Sequence, residues 1–332
     1  MKAYIKDISY YLPNKVLTNE QIAALFPEWS ADKVAGKVGI IERHIVADNE
    51  TATDMAFQAA ENLFVKGLDR SIVDFIILCT QSPDYFLPSS ACILQDRLGL
   101  SKNCGAFDFN LGCSGYEYGL AVAKGLIVAG IAQNILLLTA ETYTKYIHPQ
   151  DKGNMTIFGD GASATLVSTE GFAEIGEVVL GTDGSGAENL IVRSLGARNK
   201  ALMNNAQSDE DGNIVSGDHL YMHGGNVFNF TADVVPDMVE KLLTKSGLQQ
   251  DDVNLWVFHQ ANKYMINYLR KLLDIDKEKF YIFMEKVGNT VSSTIPIALC
   301  EARKEDKLHG NVLLAGFGVG LSWGGVMLNV KK

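Results

Sequence analysis

Asn134-Ile135-Leu136-Leu137-Leu138-Thr139 reads as a strand apolar along its whole length, and Asn311-Val312-Leu313-Leu314-Ala315 echoes it near the C-terminus. Strands of this kind need cover on both faces, as in a sheet sandwiched by helices. Working outward from the pair, further runs of the same character stand at Phe75–Cys79, Ala106–Phe109 and Ala164–Val167 in the first part of the chain. Their counterparts are Leu255–Phe258, Phe280–Phe283 and Val326–Asn329. Longer helical patterns separate them, which predicts an α/β architecture. The order of pieces from Asp74 to Val167 repeats from Asn254 to Val330. The expectation is two pseudo-duplicated halves, residues 1–172 and 173–332, with reactive residues at equivalent strand ends, where open α/β sheets bind ligands. Residues 181–225 interrupt this pattern with a Gly-, Asn-, Asp- and Ser-rich excursion that includes Asn204-Asn205-Ala206-Gln207-Ser208-Asp209-Glu210-Asp211-Gly212. A plain solvent loop is the commoner reading of such a stretch, and a lid or tunnel wall the functional one.

The bulk numbers fit a folded enzyme-sized chain. With 332 residues, 47% hydrophobic and 20% charged, there is apolar surface for a large core. A formal charge of −10 speaks against a nucleic-acid grip, which needs clustered Lys and Arg. A local basic patch for an anionic substrate remains open, and Lys33, Lys37 and Arg43 are the candidates to supply it. No signal peptide is read at Met1–Asp7, and the apolar run from Leu120 to Asn134 is broken by Lys124, so no membrane span is expected. The five cysteines are an odd count without CxxC spacing, pointing to a reduced, cytoplasmic protein without a metal site.

Four segments carry chemistry. In Asn110-Leu111-Gly112-Cys113-Ser114-Gly115-Tyr116 a strand ends, small residues turn, and Cys113 stands where an apolar helix begins. Free N–H groups at a helix start favour a thiolate and a developing oxyanion, so Cys113 is the candidate nucleophile. Cys79, Cys92, Cys104 and Cys300 lie in apolar runs and read as small buried hydrophobes. In Val257-Phe258-His259-Gln260-Ala261-Asn262 an apolar strand ends directly in a histidine, placing His259 at the reactive edge. His44, His148, His219, His223 and His309 read as structural hydrogen-bonders. Asn289, in Val287-Gly288-Asn289-Thr290, would by itself be a helix cap, but it follows its strand as Cys113 follows its own. Gly316-Phe317-Gly318-Val319-Gly320 is either a tight turn or a backbone able to approach a reacting carbonyl, and its spacing is wrong for a nucleotide fingerprint.

Taken together, these segments resemble the β-ketoacyl-acyl carrier protein synthase III family of the thiolase-like superfamily. Phe158-Gly159-Asp160-Gly161-Ala162, Gly39-Ile40-Ile41-Glu42-Arg43 and Tyr11-Leu12-Pro13 extend the resemblance from Tyr11 to Gly324. It implies a five-layer αβαβα fold, a homodimer and no cofactor. The expected partners are an acyl-CoA or acyl-carrier protein and malonyl-acyl carrier protein, so coenzyme A and phosphopantetheine thioesters are substrates. Cys113 would take the acyl group. His259 and Asn289 would bind the malonyl thioester carbonyl as CO₂ leaves, and the main-chain N–H groups of Cys113 and Val319 would form the oxyanion hole. Lys33, Lys37, Leu87, Phe317, Asn262 and Lys263 fall where the family contacts substrate or carrier.

The chain also departs from the family. Lys33 stands where a Trp commonly stacks the coenzyme's adenine, and Trp29 is displaced from that position. Tyr264 replaces a carrier-docking Arg, Val319 replaces a usual Gly, and Leu87 takes the place of an aromatic gate residue from the neighbouring subunit. Two rivals share the motifs. One joins the acyl group from the same cysteine to an oxygen or nitrogen nucleophile. The other is a non-catalytic partner subunit, which typically lacks the cysteine.

Overall fold

The computed structural model describes residues 1–209 and 214–331. Glu210, Asp211 and Gly212 of the polar excursion, and Lys332 at the end of the expected second half, lie outside the described residues. Among the described residues nine strands form the main sheet: β1 (Tyr4–Tyr11), β2 (Phe75–Cys79), β3 (Gly105–Phe109), β4 (Asn134–Glu141), β5 (Gly161–Ser168), β6 (Ala173–Thr182), β7 (Val253–Phe258), β8 (Gly310–Gly318) and β9 (Ser322–Val330). Their spatial order is β7-β8-β9-β6-β1-β5-β4-β2-β3. β1 and β6 meet only through Tyr4 with Glu174 and Ile5 with Ala173, so the sheet is two sheets joined at a corner. Outward from that corner, each side runs antiparallel, antiparallel, then parallel: β1-β5-β4-β2 on one side and β6-β9-β8-β7 on the other.

Period-2 alternation explains why these strands are apolar along their length. Leu136 and Leu138 of β4 face one core, packed on α2 (Ala52–Val65) and α3 (Ser90–Arg97). Ile135 and Leu137 face the opposite way, toward a central core around α4 (Gly115–Val128) and α7 (Thr294–Lys304). In β8, Val312 and Leu314 reach the same central core, while Leu313 and Ala315 meet α5 (Gly224–Ser246) and α6 (Lys263–Leu272). Three buried cores between alternating helices and sheets make five layers, αβαβα. A shorter helix, α1 (Ala31–Val38), is capped by the Ser30 side chain and packs on α6. No described helix is long and apolar enough to cross a membrane.

The structure departs from the sequence expectations in several places. β1 and β6 were not anticipated. YIKDISYY and AEIGEVVLGT alternate or mix polar with apolar residues, so they lack the continuous run that marks the other strands. Phe280–Phe283 is no strand: among the described residues its ladder contact is a single parallel bridge from Phe280 to Trp256. Arg43 supplies no basic surface. Its guanidinium is buried and donates to the carbonyls of Leu17 and Thr156 and to Asn19 Oδ1, tying the N-terminal loops to the core. Of the four cysteines read as buried hydrophobes, Cys79 and Cys300 are buried, but Cys92 is exposed and Cys104 half-buried. The excursion contains two short antiparallel pairs, Gln207–Ser208 with Ile214–Val215 and Leu190–Ile191 with Tyr221–Met222.

Candidate active site

Two strand ends and one loop deliver three polar side chains to one cavity. Cys113 follows β3 at the approach to α4, His259 follows β7, and Asn289 lies in the loop before α7. All three line a cavity of roughly 140 Å³ together with Phe317, Asn262 and Met222. Leu190 and Met222 come from the polar excursion, so that segment forms part of the wall around the cysteine.

Cys113 sits on a turn closed by the Gly115 N–H donating to the Gly112 carbonyl at 2.8 Å. A Cβ on Gly318 would stand 2.9 Å from both Cβ and Sγ of Cys113, so only glycine lets β8 pass this close. The main-chain N–H groups of Cys113 and Val319 both act on the sulfur and favour its anionic form. Burial outweighs them. It pushes the thiol up to about 12, with the Glu141 carboxylate adding in the same direction. The thiolate expected from the helix start is therefore not the resting state, because the sulfur is buried and a carboxyl group stands near it.

His259 is buried, and burial lowers its imidazole to about 3, so the ring is neutral throughout the physiological range. Its Nδ1 lies 2.7 Å from Thr294 Oγ1, at the start of α7. Its Nε2 lies 3.5 Å from Asn289 Nδ2. Asn289 is oriented by its own loop: its Oδ1 accepts from the Val291 N–H at 2.9 Å, which turns Nδ2 toward His259. Val291 holds a φ of +56, a conformation costly for a β-branched residue. The backbone of Asn289 is fixed by an isolated parallel bridge to Phe158. Asn289 N–H donates to the Ile157 carbonyl at 2.9 Å, and Gly159 N–H donates to the Asn289 carbonyl at 3.0 Å. A Cβ on Gly159 would lie 2.7 Å from the Val287 carbonyl oxygen, which explains the glycine after Phe158.

The other expected site residues divide. Phe317 and Asn262 line the cavity, and Asn262 also caps α6 by accepting from the Met265 N–H at 2.9 Å. Lys37 and Lys263 line a neighbouring groove with Lys271, Tyr264 and Tyr268, while Lys33 is exposed on α1 outside that groove. Leu87 is 82% exposed, beside Tyr85 and Phe86, and does not reach this chain's cavity. Thr294, five residues beyond Asn289, has a contact with His259 that is visible only in three dimensions. Glu141 gave no sequence signal at all. It is a buried carboxylate that accepts from the Gln81 N–H and from Ser82 Oγ, and its charge bears on the thiol. Among the described residues no group of three or more His, Cys, Asp or Glu side chains is arranged to hold a metal ion.

Such an arrangement suits acyl transfer. A thiol, two main-chain donors, a neutral imidazole and a carboxamide converge on one cavity. Comparisons with known proteins point the same way. The sequence model described as 3-oxoacyl-[acyl-carrier-protein] synthase III matches residues 107–184, and that of its C-terminal part matches residues 243–330. A β-ketoacyl-[acyl-carrier-protein] synthase III of Clostridium perfringens is 37% identical over 324 residues, covering 96% of this chain and 97% of the relative. Its counterpart in Chlamydia caviae is also 37% identical, covering 98% and 96%. A crystal structure of a 3-oxoacyl-(acyl-carrier-protein) synthase III superposes with a TM-score of 0.96 at 48% identity, covering 99% of this chain and all of that one.

Proposed function

The chain belongs to the 3-oxoacyl-[acyl-carrier-protein] synthase III family and is a condensing acyltransferase of that type, and from this premise we propose the role of each site residue. Cys113 takes the acyl group. Its Sγ attacks the carbonyl of an acyl thioester, the tetrahedral oxyanion is held by the N–H groups of Cys113 and Val319, and the departing thiolate receives the proton from Sγ. A thiol raised to about 12 reacts with its proton leaving as the bond forms, rather than from a standing thiolate.

Malonyl-acyl carrier protein then occupies the same cavity. As its C–CO₂ bond breaks, the electron pair moves toward the thioester carbonyl, and His259 and Asn289 donate to the oxygen that becomes an enolate. The enolate carbon attacks the acyl carbonyl on Cys113. The S–C bond breaks, Sγ regains a proton, and a 3-oxoacyl thioester leaves. Neutral donors suit this step, and the burial that keeps His259 uncharged supports the assignment. Thr294 Oγ1 donates to the Val291 carbonyl at 3.1 Å and lies 2.7 Å from His259 Nδ1, so its single proton must turn to the imidazole for Nδ1 to accept. Given to Nδ1, that proton leaves Nε2 as the N–H facing substrate.

Lys37, Lys263 and Lys271 form a cationic groove suited to the phosphates of the coenzyme A or carrier-protein arm. We assign the second copy of a homodimer to the free edge of β3 and to the exposed Tyr85-Phe86-Leu87 loop. The observation that carries the whole reading is the convergence of Cys113, His259 and Asn289 on one cavity. Its test is CO₂ release with an acyl donor and malonyl-acyl carrier protein. Wild type should release CO₂ with 3-oxoacyl product. His259→Ala and Asn289→Ala should still load Cys113 but decarboxylate at least about a hundredfold more slowly. Acyl ester or amide product without CO₂ would replace condensation by simple transfer.

A further inference from the structure

Glu117 is a carboxyl group the mechanism above leaves unused. It stands in the first turn of α4, four residues beyond Cys113, and is fully buried. Neither of its oxygens has a hydrogen-bond partner among the described residues. An unpaired buried carboxyl costs several kcal/mol if charged, and the same place in a helix would accept an apolar side chain.

Yet the fold makes room for it. Gly316 of β8 and Gly324 of β9 are cross-strand partners, so two facing positions lack side chains and leave a slot. A Cβ on Gly324 would lie 2.8 Å from Glu117 Cβ. A Cβ on Gly316 would collide with the Glu117 carboxyl and stand 2.7 Å from the main-chain carbonyl oxygen of Cys113. The carboxyl and the Cys113 carbonyl therefore share one dry space over the bare Cα of Gly316. Two acceptor oxygens crowded together in such a space repel unless a proton lies between them. Burial keeps the carboxyl protonated, holding its acidity well above the ordinary carboxylate range. The other titratable groups that feel it are the Cys113 thiol, Cys79 of β2 and Tyr116 of α4, while Glu141 of β4 acts on the same thiol.

We propose that Glu117 is a positioning residue for Cys113: as the neutral acid it donates its carboxyl O–H to the Cys113 main-chain carbonyl and fixes the turn that holds Sγ against the amides of Cys113 and Val319. This rests on the reading of Cys113 as the nucleophile. The effect on reaction is indirect. With the turn fixed, both N–H groups stay aimed at the sulfur and at the oxyanion that follows. With it loose, the thiol loses them and ionises less readily.

Glu117→Gln keeps the length and a neutral donor, whereas Glu117→Leu keeps the bulk and removes it. Iodoacetamide alkylation of Cys113 against pH, followed by intact mass with Cys113→Ala as background, reads the turn without needing the natural acyl donor. Glu117→Gln should follow the wild-type profile to within about threefold, and Glu117→Leu should react about tenfold more slowly at pH 8, with its profile displaced to higher pH. Its thermal midpoint should be no lower than wild type, because an apolar group replaces an unpaired polar one. That combination separates positioning from a plain structural role. Glu117→Met, carried in parallel, serves if the Leu variant does not fold. Alkylation of the Leu or Met variant at the wild-type rate, or equal slowing by Gln and by the apolar variants, would overturn the inference. If these profiles behave as expected while no thioester acylates wild type, the proposed function fails and the positioning role stands.

Discussion

His259 illustrates how a single residue joins chemistry to stability. Burial holds its imidazole at about 3 against an ordinary value of 6.5, so the unfolded chain binds a proton that the folded one refuses. Its contribution is complete above pH 6.5 and is lost as pH falls from there toward 3, with a slope of at most about 1.4 kcal/mol per pH unit. Glu117 and Glu141 work in the opposite sense, since burial raises their acidity values and their neutral forms are favoured as pH falls. The His259 share is therefore isolated by difference. Urea unfolding at pH 7 and pH 5 should show wild type losing about 2 kcal/mol more than His259→Asn over that interval. Equal losses would mean the imidazole is not desolvated as the structure has it. At this scale the positions of Cys113 and His259 were legible, because each follows a strand end, whereas the strand expected before Asn289 does not form and Asn289 reaches the cavity from the loop before α7. Glu117 was not: a Glu in a first helical turn reads as ordinary dipole compensation, and nothing in its neighbours signals the glycine slot that receives it.

Between residue and molecule lie the elements, and here legibility followed burial pattern. β4 and β8 were readable since both faces are buried and an unbroken apolar run fills the middle of each, Ile135–Leu138 and Val312–Ala315. β1 and β6 were not, since Lys6, Asp7, Glu174 and Glu177 interrupt any apolar run, and their ladders shift register at Lys6 and at Gly176-Glu177. The failed strand at Phe280–Phe283 has the opposite cause: its aromatic residues pack against β7 and its neighbours without extending the ladder. The Gly-rich tail left two readings open, a tight turn or a close backbone approach. At Gly318 the approach is real, and Gly318 is paired with Ser322 across β8 and β9, so the backbone has little freedom to retreat. Gly318→Ala should cost about 1–3 kcal/mol of stability through overpacking. It should also slow loading of Cys113 by about tenfold or more, because the added methyl presses on Cβ and Sγ. Thermal unfolding and a time course of acylation check the two effects. An Ala variant that acylates at the wild-type rate would show that the strand yields more easily than its pairing suggests.

On the scale of the whole molecule, the repeated strand order is what makes the site. One sheet delivers Cys113 from the end of β3 and the other delivers His259 from the end of β7, with α4 and α7 of the central layer bringing their first turns to the same place. The repetition was visible in sequence as two series of apolar runs, but the junction between the sheets was not. It depends on two residue pairs in strands that had no signal of their own. The wall contributed by Leu190 and Met222 was hidden inside a polar excursion whose composition reads as solvent loop. The central claim, that this assembly transfers acyl groups through Cys113, is tested most directly by intact mass. Purified protein is mixed with a panel of acyl-CoAs and acyl-carrier proteins, beside Cys113→Ala. Wild type should gain one acyl group that is absent from the variant and is discharged by malonyl-acyl carrier protein. An acyl adduct that persists in Cys113→Ala, or a folded wild type that no donor labels, would contradict it.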